Sequence, residues 1–258
     1  MTTLATLTIT GFGTVNVIEI GTGRSLTSTL VDTARGDNGE YTVTAVTITS
    51  NTTAIGNSAF EDYENLVSVS IPDQVTSIGN YAFMKTALTS VIISSSVTSL
   101  GNSAFRECSN LTSVTIGNSI TSIGSYTFKG CSSLTSVTIN GNLLSIGFGA
   151  FRETGLTNFT IPNSVTSLAT YAFYNCNNLA SLVIGDSLDT IPSNSFYGAD
   201  LSILTIPSTV TEIESVAFSS CNNLDNIAST LFAFQSFFPL YSLKSQMFPL
   251  QGSDRTVF

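Results

Sequence analysis

Residues 103–124 read SAFRECSNLTSVTIGNSITSIG, and residues 125–147 read SYTFKGCSSLTSVTINGNLLSIG. One Phe, one Cys, one Leu and one SVTI stand at matching places, so a single structural unit is written twice in succession. Phe marks its phase: Phe60, Phe83, Phe105, Phe128, Phe151, Phe173, Phe196 and Phe218 follow one another at intervals of 22 or 23. A Leu comes five or six residues after each (Leu66, Leu88, Leu111, Leu134, Leu156, Leu179, Leu201, Leu224), and from each of the first seven Leu to the next Phe the distance is always 17. All length variation therefore lies between Phe and Leu. A fixed segment alternating with a slightly elastic one is what a stacked solenoid requires, because the stacked strand must hold register while the connecting loop can absorb a residue. Val43 lies 17 before Phe60, so YTVTAVTITSNTTAIGNSAF is the first unit with its Leu replaced.

Within the unit, apolar periods assign the backbone. In Leu111-Thr-Ser-Val114-Thr-Ile116 the last three alternate as a half-buried strand does, which turns Val114 and Ile116 inward and Ser113 and Thr115 outward. Pro72, Pro162 or Pro207, or Gly117 or Gly185, then ends the strand. A second short apolar pair, Ile120 and Ile123, leads to Gly124 and to a turn of roughly helical spacing that delivers Phe128. Gly recurs after that pair (Gly56, Gly79, Gly101, Gly124, Gly147), yet Ala169, Pro192 and Glu214 occupy the same column. Since Pro holds φ near about −65°, the shared backbone does not need a positive φ there, and Gly reads as convenience rather than necessity. The expected architecture is a repeat solenoid of about eight 22–23-residue units. It is mostly β, with short turns and 3₁₀ or helical pieces, and carries a parallel sheet on one face.

Composition bounds the chemistry. The chain has 258 residues, 42% of them apolar, and only 10% charged, against roughly 25% charged in an ordinary domain. Its surface is hydroxyl and amide rather than ionic. A net charge of −9 with eight Lys and Arg repels a polyanionic backbone, which argues against nucleic acid as a partner. There is no His, so the commonest general base, metal ligand and partner of a nucleophilic Ser or Cys is missing. Catalytic motifs fail individually. GNSAF and GNSIT lack the second Gly of a nucleophile elbow, and Gly11-Phe-Gly13 and Gly21-Thr-Gly23 lack the third Gly of a dinucleotide fingerprint. The carboxylate pairs Glu61 with Asp62 and Glu212 with Glu214 read as a solvated edge. No catalytic residue, metal site or cofactor is expected, and the chain reads as a non-enzyme. The opening MTTLATLTITGFGTVNVIEI alternates Thr with apolar residues and reads as strand rather than as an export signal. The Phe-rich end is broken by Gln235, Pro239, Lys244 and Pro249, too often for a membrane span.

The phrase LTNFTIPNSVTSLATYAF, Leu156 to Phe173, followed by Cys176, resembles the BspA-like leucine-rich repeat family in unit length and in its AF-x-x-C signature. The likeness covers about Val43 to Leu224. It implies a right-handed leucine-rich-repeat solenoid with a parallel sheet on one face, placed at the cell surface or secreted, and associated with adhesion; it implies no reaction. The Asn ladder of better-known leucine-rich repeats is mostly Ser here (Ser96, Ser119, Ser164, Ser187).

Cys108, Cys131, Cys176 and Cys221 each stand three after a repeat Phe and occur only in the six-residue loops. Thr86, Thr154, Ala199 and Tyr63 fill that place elsewhere, so the column accepts small or apolar groups. Cys108 and Cys131 lie in adjacent units, and stacked strands about 4.8 Å apart permit a bridge. Cys176 and Cys221 are two units apart, and free Cys packs as a small hydrophobe, so a buried column is the other reading. No C-x-x-C favours zinc.

Two surfaces are candidates for binding. Lys85, Arg106, Lys129 and Arg152 stand one or two after the Phe in consecutive units, interspersed with Glu107 and Glu153. They form an edge that either holds an anionic ligand or keeps a loop soluble. The outward strand columns are Ser68, Ser90, Ser113, Ser136, Asn158, Ser181 and Ile203, and Ser70, Ile93, Thr115, Thr138, Thr160, Val183 and Thr205. The expected ligand face is Ser90, Ser113, Thr115, Ser136, Thr138, Asn158, Thr160, Ser181 and Thr205, a broad uncharged hydroxyl sheet suited to a protein or carbohydrate partner. The alternatives are a structural subunit of a larger assembly and a binder of ice or crystal surfaces. The chain divides into a degenerate N-terminal cap (1–42), the solenoid (43–230) and an apolar C-terminal cap or docking tail (231–258). It is either a monomer or assembles through that tail.

Overall fold

The computed structural model of the chain describes residues 8–9, 25–26, 45–48, 52–221 and 223–224. Eight coils stack along one axis, each with a front strand, a back strand and a turn segment that carries the repeat Phe, and one further front strand and one further back strand precede them. The front strands are β1 (Thr8–Ile9), β3 (Ala45–Thr47), β5 (Ser68–Ser70), β7 (Ser90–Ile93), β9 (Ser113–Ile116), β11 (Ser136–Ile139), β13 (Asn158–Thr160), β15 (Ser181–Val183) and β17 (Ile203–Thr205). The back strands are β2 (Ser25–Leu26), β4 (Ala54–Ile55), β6 (Ser77–Ile78), β8 (Ser99–Leu100), β10 (Ser122–Ile123), β12 (Ser145–Ile146), β14 (Ser167–Leu168), β16 (Thr190–Ile191) and β18 (Glu212–Ile213). Pairing is parallel and in repeat register, as in Val114 opposite Val137 and Ile123 opposite Ile146. The exception is β1, which runs antiparallel to β3. The front ladder is interrupted between β5 and β7 and between β11 and β13, and the back ladder between β8 and β10 and between β14 and β16.

The Phe side has no such break. The N–H of Phe60 donates to Ala82 O at 2.7 Å and that of Phe83 to Ala104 O at 2.8 Å, and the same bond recurs at each step to Phe196 and Ala217 O at 2.9 Å. Its neighbours two before and two after bond likewise at most steps, as Ser58 and Asp62 do to Asn80 O and Met84 O. Every one of these bonds runs from the earlier coil to the later one. A regular φ pattern aims them: the residues two before and two after each Phe have positive φ, at thirteen non-Gly and three Gly positions. Left-handed conformation costs a non-Gly residue about 1–2 kcal/mol, and the inter-coil bonds offset it. Val216 at φ 56° is the sterically least suited, being β-branched. The helical pieces expected before each Phe are therefore not formed among the described residues; i to i+3 turns with alternating φ take their place.

The core is a stack of rings. All eight Phe are fully buried, with neighbouring centroids 5.1 to 5.7 Å apart and planes within 15° of parallel. Phe159, standing where other strands have Val or Leu, wedges against Phe151 and Phe173 at 5.3 and 4.8 Å. Inward strand residues such as Val91, Ile93, Val114 and Ile116 complete it.

Three sequence readings need correction. Ile93 is buried at 1% exposure and Ile92 faces out at 70%, because alternation from Ser90 places the third strand residue outside, opposite Thr115. Gly79, Gly101, Gly124 and Gly147 indeed lack positive φ. Yet a Cβ on Gly101 would lie 2.4 Å from backbone atoms of Gly79 and Asn80, so at this coil close approach excludes a side chain although φ does not. An Asn ladder also exists, one residue beyond the Gly. Asn57 Oδ1 accepts from Asn80 N, Asn80 Oδ1 from Asn102 N, and Asn102 Oδ1 from Ser125 N, each at 2.8 Å. The Ser that stands at the expected Asn position instead donates to the preceding coil, as Ser96 and Ser164 do to Val75 O and Leu143 O. The tail reading at Leu231 to Phe248 lies outside the described residues.

Candidate functional site

Register aligns the outward positions of the front strands into rows. Ser90, Ser113 and Ser136 form one row and Ile92, Thr115 and Thr138 the next. Farther along, Asn158, Ser181 and Ile203 align, as do Thr160, Val183 and Thr205. Ser90, Ser136, Thr138, Asn158, Thr160 and Thr205 are exposed, while Ser113, Thr115 and Ser181 are half-buried. Of these nine candidate residues only Asn158 makes a side-chain hydrogen bond within the described residues, donating from Nδ2 to Thr157 Oγ1 at 3.2 Å. The column immediately before them behaves differently. Thr89, Thr112, Thr135 and Ser202 each donate a hydroxyl to a carbonyl of the preceding coil, at 2.9 to 3.4 Å. One hydroxyl column binds coil to coil, and the hydroxyls of the two outward columns make no side-chain hydrogen bond among the described residues.

The face is not flat. At the β5/β7 split a cleft of about 710 Å³ opens, walled by Val69, Ser70, Ile92 and Ser94 among others. At the β11/β13 split a second, of about 520 Å³, is walled by Ser136, Val137, Asn158 and Phe159. Both splits follow a five-residue loop, Phe83 to Leu88 and Phe151 to Leu156. The third such loop, Phe196 to Leu201, precedes an intact β15–β17 pair. Together with exposed Ile92, Val183 and Ile203, the splits interrupt the regular hydroxyl lattice that an ice or crystal surface would need.

The basic edge is largely neutralised. Lys85 Nζ lies 3.1 Å from Asp62 Oδ1, and Asp62, through this hydrogen bond and its charge, raises the Lys85 pKa above its ordinary value. Arg106 pairs with Glu107 at 2.8 Å and Arg152 with Glu153 at 2.9 Å. Arg152 also covers the Tyr174 ring at 4.9 Å, and Lys129 the Tyr126 ring at 5.6 Å. Of the paired carboxylates, Glu214 is engaged by Ser193 N and Oγ at 2.8 and 2.9 Å. Sequence reading missed the two clefts and the outward Ile92; the shortened loops were the clefts' only trace.

All four cysteines are free and buried. Each thiol donates to the carbonyl of the Phe one coil back: Cys108 to Phe83, Cys131 to Phe105, Cys176 to Phe151 and Cys221 to Phe196, at 3.0 to 3.2 Å. Burial pushes the Cys131 pKa well up, that of Cys176 to about 11 and that of Cys221 to about 12. At Cys108 burial acts the same way, but hydrogen bonds with Cys131 and Thr86 outweigh it and lower the pKa; the three raised thiols are neutral and poor nucleophiles. Among the described residues no group of three or more His, Cys, Asp or Glu could hold a metal. None of the helices there is long and apolar enough to cross a membrane.

The family described as BspA type leucine rich repeat region matches this chain in six copies, over residues 38–155 and 144–249. Among solved structures, the leucine-rich repeat protein of T. pallidum is 22% identical over 76% of this chain and 84% of its own, with a TM-score of 0.58, a likeness of fold. A leucine-rich cell surface protein from Faecalibacterium prausnitzii is 26% identical over 70% of this chain, with a TM-score of 0.44. This chain spans about half of that protein, 52%. A leucine-rich repeat protein from Bacteroides ovatus is 22% identical over 84% of this chain and 71% of its own, with a TM-score of 0.42. No curated protein matches the chain.

Proposed function

We propose, from the premise that this chain belongs to the BspA-type leucine-rich repeat family, that it is a non-catalytic interaction module which engages a protein or carbohydrate partner over its front sheet, at the cell surface or outside the cell. The observation that carries this reading is the division of labour among hydroxyls: Thr89, Thr112, Thr135 and Ser202 of the neighbouring column are consumed in coil-to-coil bonds, whereas Ser90, Ser113, Thr115, Ser136, Thr138, Thr160, Ser181 and Thr205 have no side-chain partner among the described residues. An extended surface shared among coils gives many weak contacts and no dominant residue, unlike a catalytic site. The basic edge is a poor competitor, since three of its four cations are already paired.

A glycan and matrix-protein array identifies a ligand. Thr115→Arg with Thr138→Arg then abolishes binding and leaves the melting temperature nearly unchanged. Replacing Lys85, Arg106, Lys129 and Arg152 has little effect. Normal binding by the sheet variant together with loss in the edge variant overturns the assignment.

A further inference from the structure

We infer, resting on the sheet-face reading above, that the β5/β7 cleft takes a peptide segment of a partner protein that is basic and carries a bulky apolar side chain. Three observations select this occupant over a sugar. Ile92 is 70% exposed in the wall of the cleft, beside half-buried Val69 and Ile71. A sugar hydroxyl gains nothing against three β-branched side chains, whereas an aliphatic or aromatic group removes their surface from water. The hydroxyls of Ser70, Ser90 and Thr115 ring this floor, and a peptide backbone offers both N–H and C=O to such groups.

Charge is the third. Asp73 lines the cleft and is exposed, and its Oδ1 accepts from Ser94 Oγ at 2.7 Å, which fixes the carboxylate without neutralising it. Every basic residue of the described chain, Lys85, Arg106, Lys129 and Arg152, stands on the Phe edge, and the described ion pairs involve Asp62, Glu107 and Glu153 but not Asp73. Among the described residues no cation is paired with Asp73, which leaves its charge for a basic occupant. On a chain of net charge −9 a basic segment is also favoured at long range.

The test uses the full chain and fluorescence anisotropy with three labelled decapeptides, alternating Lys–Leu, Lys–Ser and Glu–Leu, alongside labelled cello- and manno-hexaose. The Lys–Leu peptide binds, and the other two peptides bind at least about tenfold more weakly. Ile92→Ser and Asp73→Asn each weaken the Lys–Leu complex about tenfold with the melting temperature unchanged. Asp186→Asn, which removes the same charge elsewhere, leaves it intact. Absence of Lys–Leu binding overturns the proposal, and hexaose binding in its place shows the occupant to be a sugar while the sheet-face reading survives. If Ile92→Ser and Asp73→Asn bind normally but Thr138→Arg with Thr160→Arg, both outside this cleft, does not, the cleft is the wrong part of the right face. If all of these variants bind normally, both readings fall.

Discussion

Each interior repeat Phe is held between two others, so truncating one forfeits its burial and two ring contacts at once. Phe128 stacks at 5.7 Å on Phe105 and 5.4 Å on Phe151, and Phe128→Ala is expected to cost about 3–5 kcal/mol in urea melts. Lys129→Ala, one residue away and half-buried, is expected to fall within about 0.5 kcal/mol; equal effects contradict the stack. The cysteines supply a second residue-scale test. Their thiols close a hydrogen-bonded column onto the Phe carbonyls, so the native protein shows four thiols inert to reagent, all titratable after unfolding without reductant. Two missing thiols point instead to a Cys108–Cys131 bridge. Burial also sets a pH dependence. The folded pKa values of Cys176 and Cys221, about 11 and about 12, exceed the unfolded value of about 8.5. The stability linked to their protonation is therefore complete below the unfolded value and is lost as pH rises toward 12. Tyr and Lys titrate in the same range, so the discriminating measurement is the slope: Cys176→Ser with Cys221→Ser flattens the alkaline fall of melting temperature relative to the parent.

At the scale of the element, the coil is defined by what its neighbour allows. Gly101→Ala places a methyl 2.4 Å from the backbone of the preceding coil, where no flexible side chain can yield, and is expected to cost about 1–3 kcal/mol by overpacking. Asn102→Ala removes the acceptor of Ser125 N and is expected to cost about 1 kcal/mol. Chemical denaturation of the two variants checks both, and a neutral Gly101→Ala contradicts the close approach. The fold was legible because its signals lie within one unit: the alternation in Ser113–Ile116, the 17-residue spacing and the Phe column all act locally and repeat. What escaped reading depends on two coils together. The methyl-excluding contact at Gly101, the displaced Asn ladder and the split that exposes Ile92 beside Val69 are relations between residues 21 to 23 apart, and no pattern inside one unit states them. The outward hydroxyl columns were readable by alternation alone. Which of them the protein spends internally was not, because Thr112 and Ser113 are adjacent in sequence and differ only in which carbonyl lies within reach.

For the whole molecule, stability resides in contacts between neighbouring coils, and the end coils have a neighbour on one side only. At the N-terminal end of the described front ladder β1 lies antiparallel on β3, a strand of opposite sense to the rest. At the other end, the reading of residues 231–258 as an apolar cap predicts that their deletion yields a poorly soluble, aggregating protein, seen by light scattering. A soluble and equally stable truncation assigns them to partner docking. The one-way bonds on the Phe side decide what form such aggregation takes. Each coil offers N–H groups forward and carbonyls backward, so a twofold axis at either end of the stack would set donors against donors or acceptors against acceptors. Closed end-to-end dimers are thereby disfavoured along this edge. The self-contact it does permit is head to tail, which grows as a filament wherever its rotation does not close a ring; directionality in a single row of peptide bonds thus becomes a rule about symmetry between molecules.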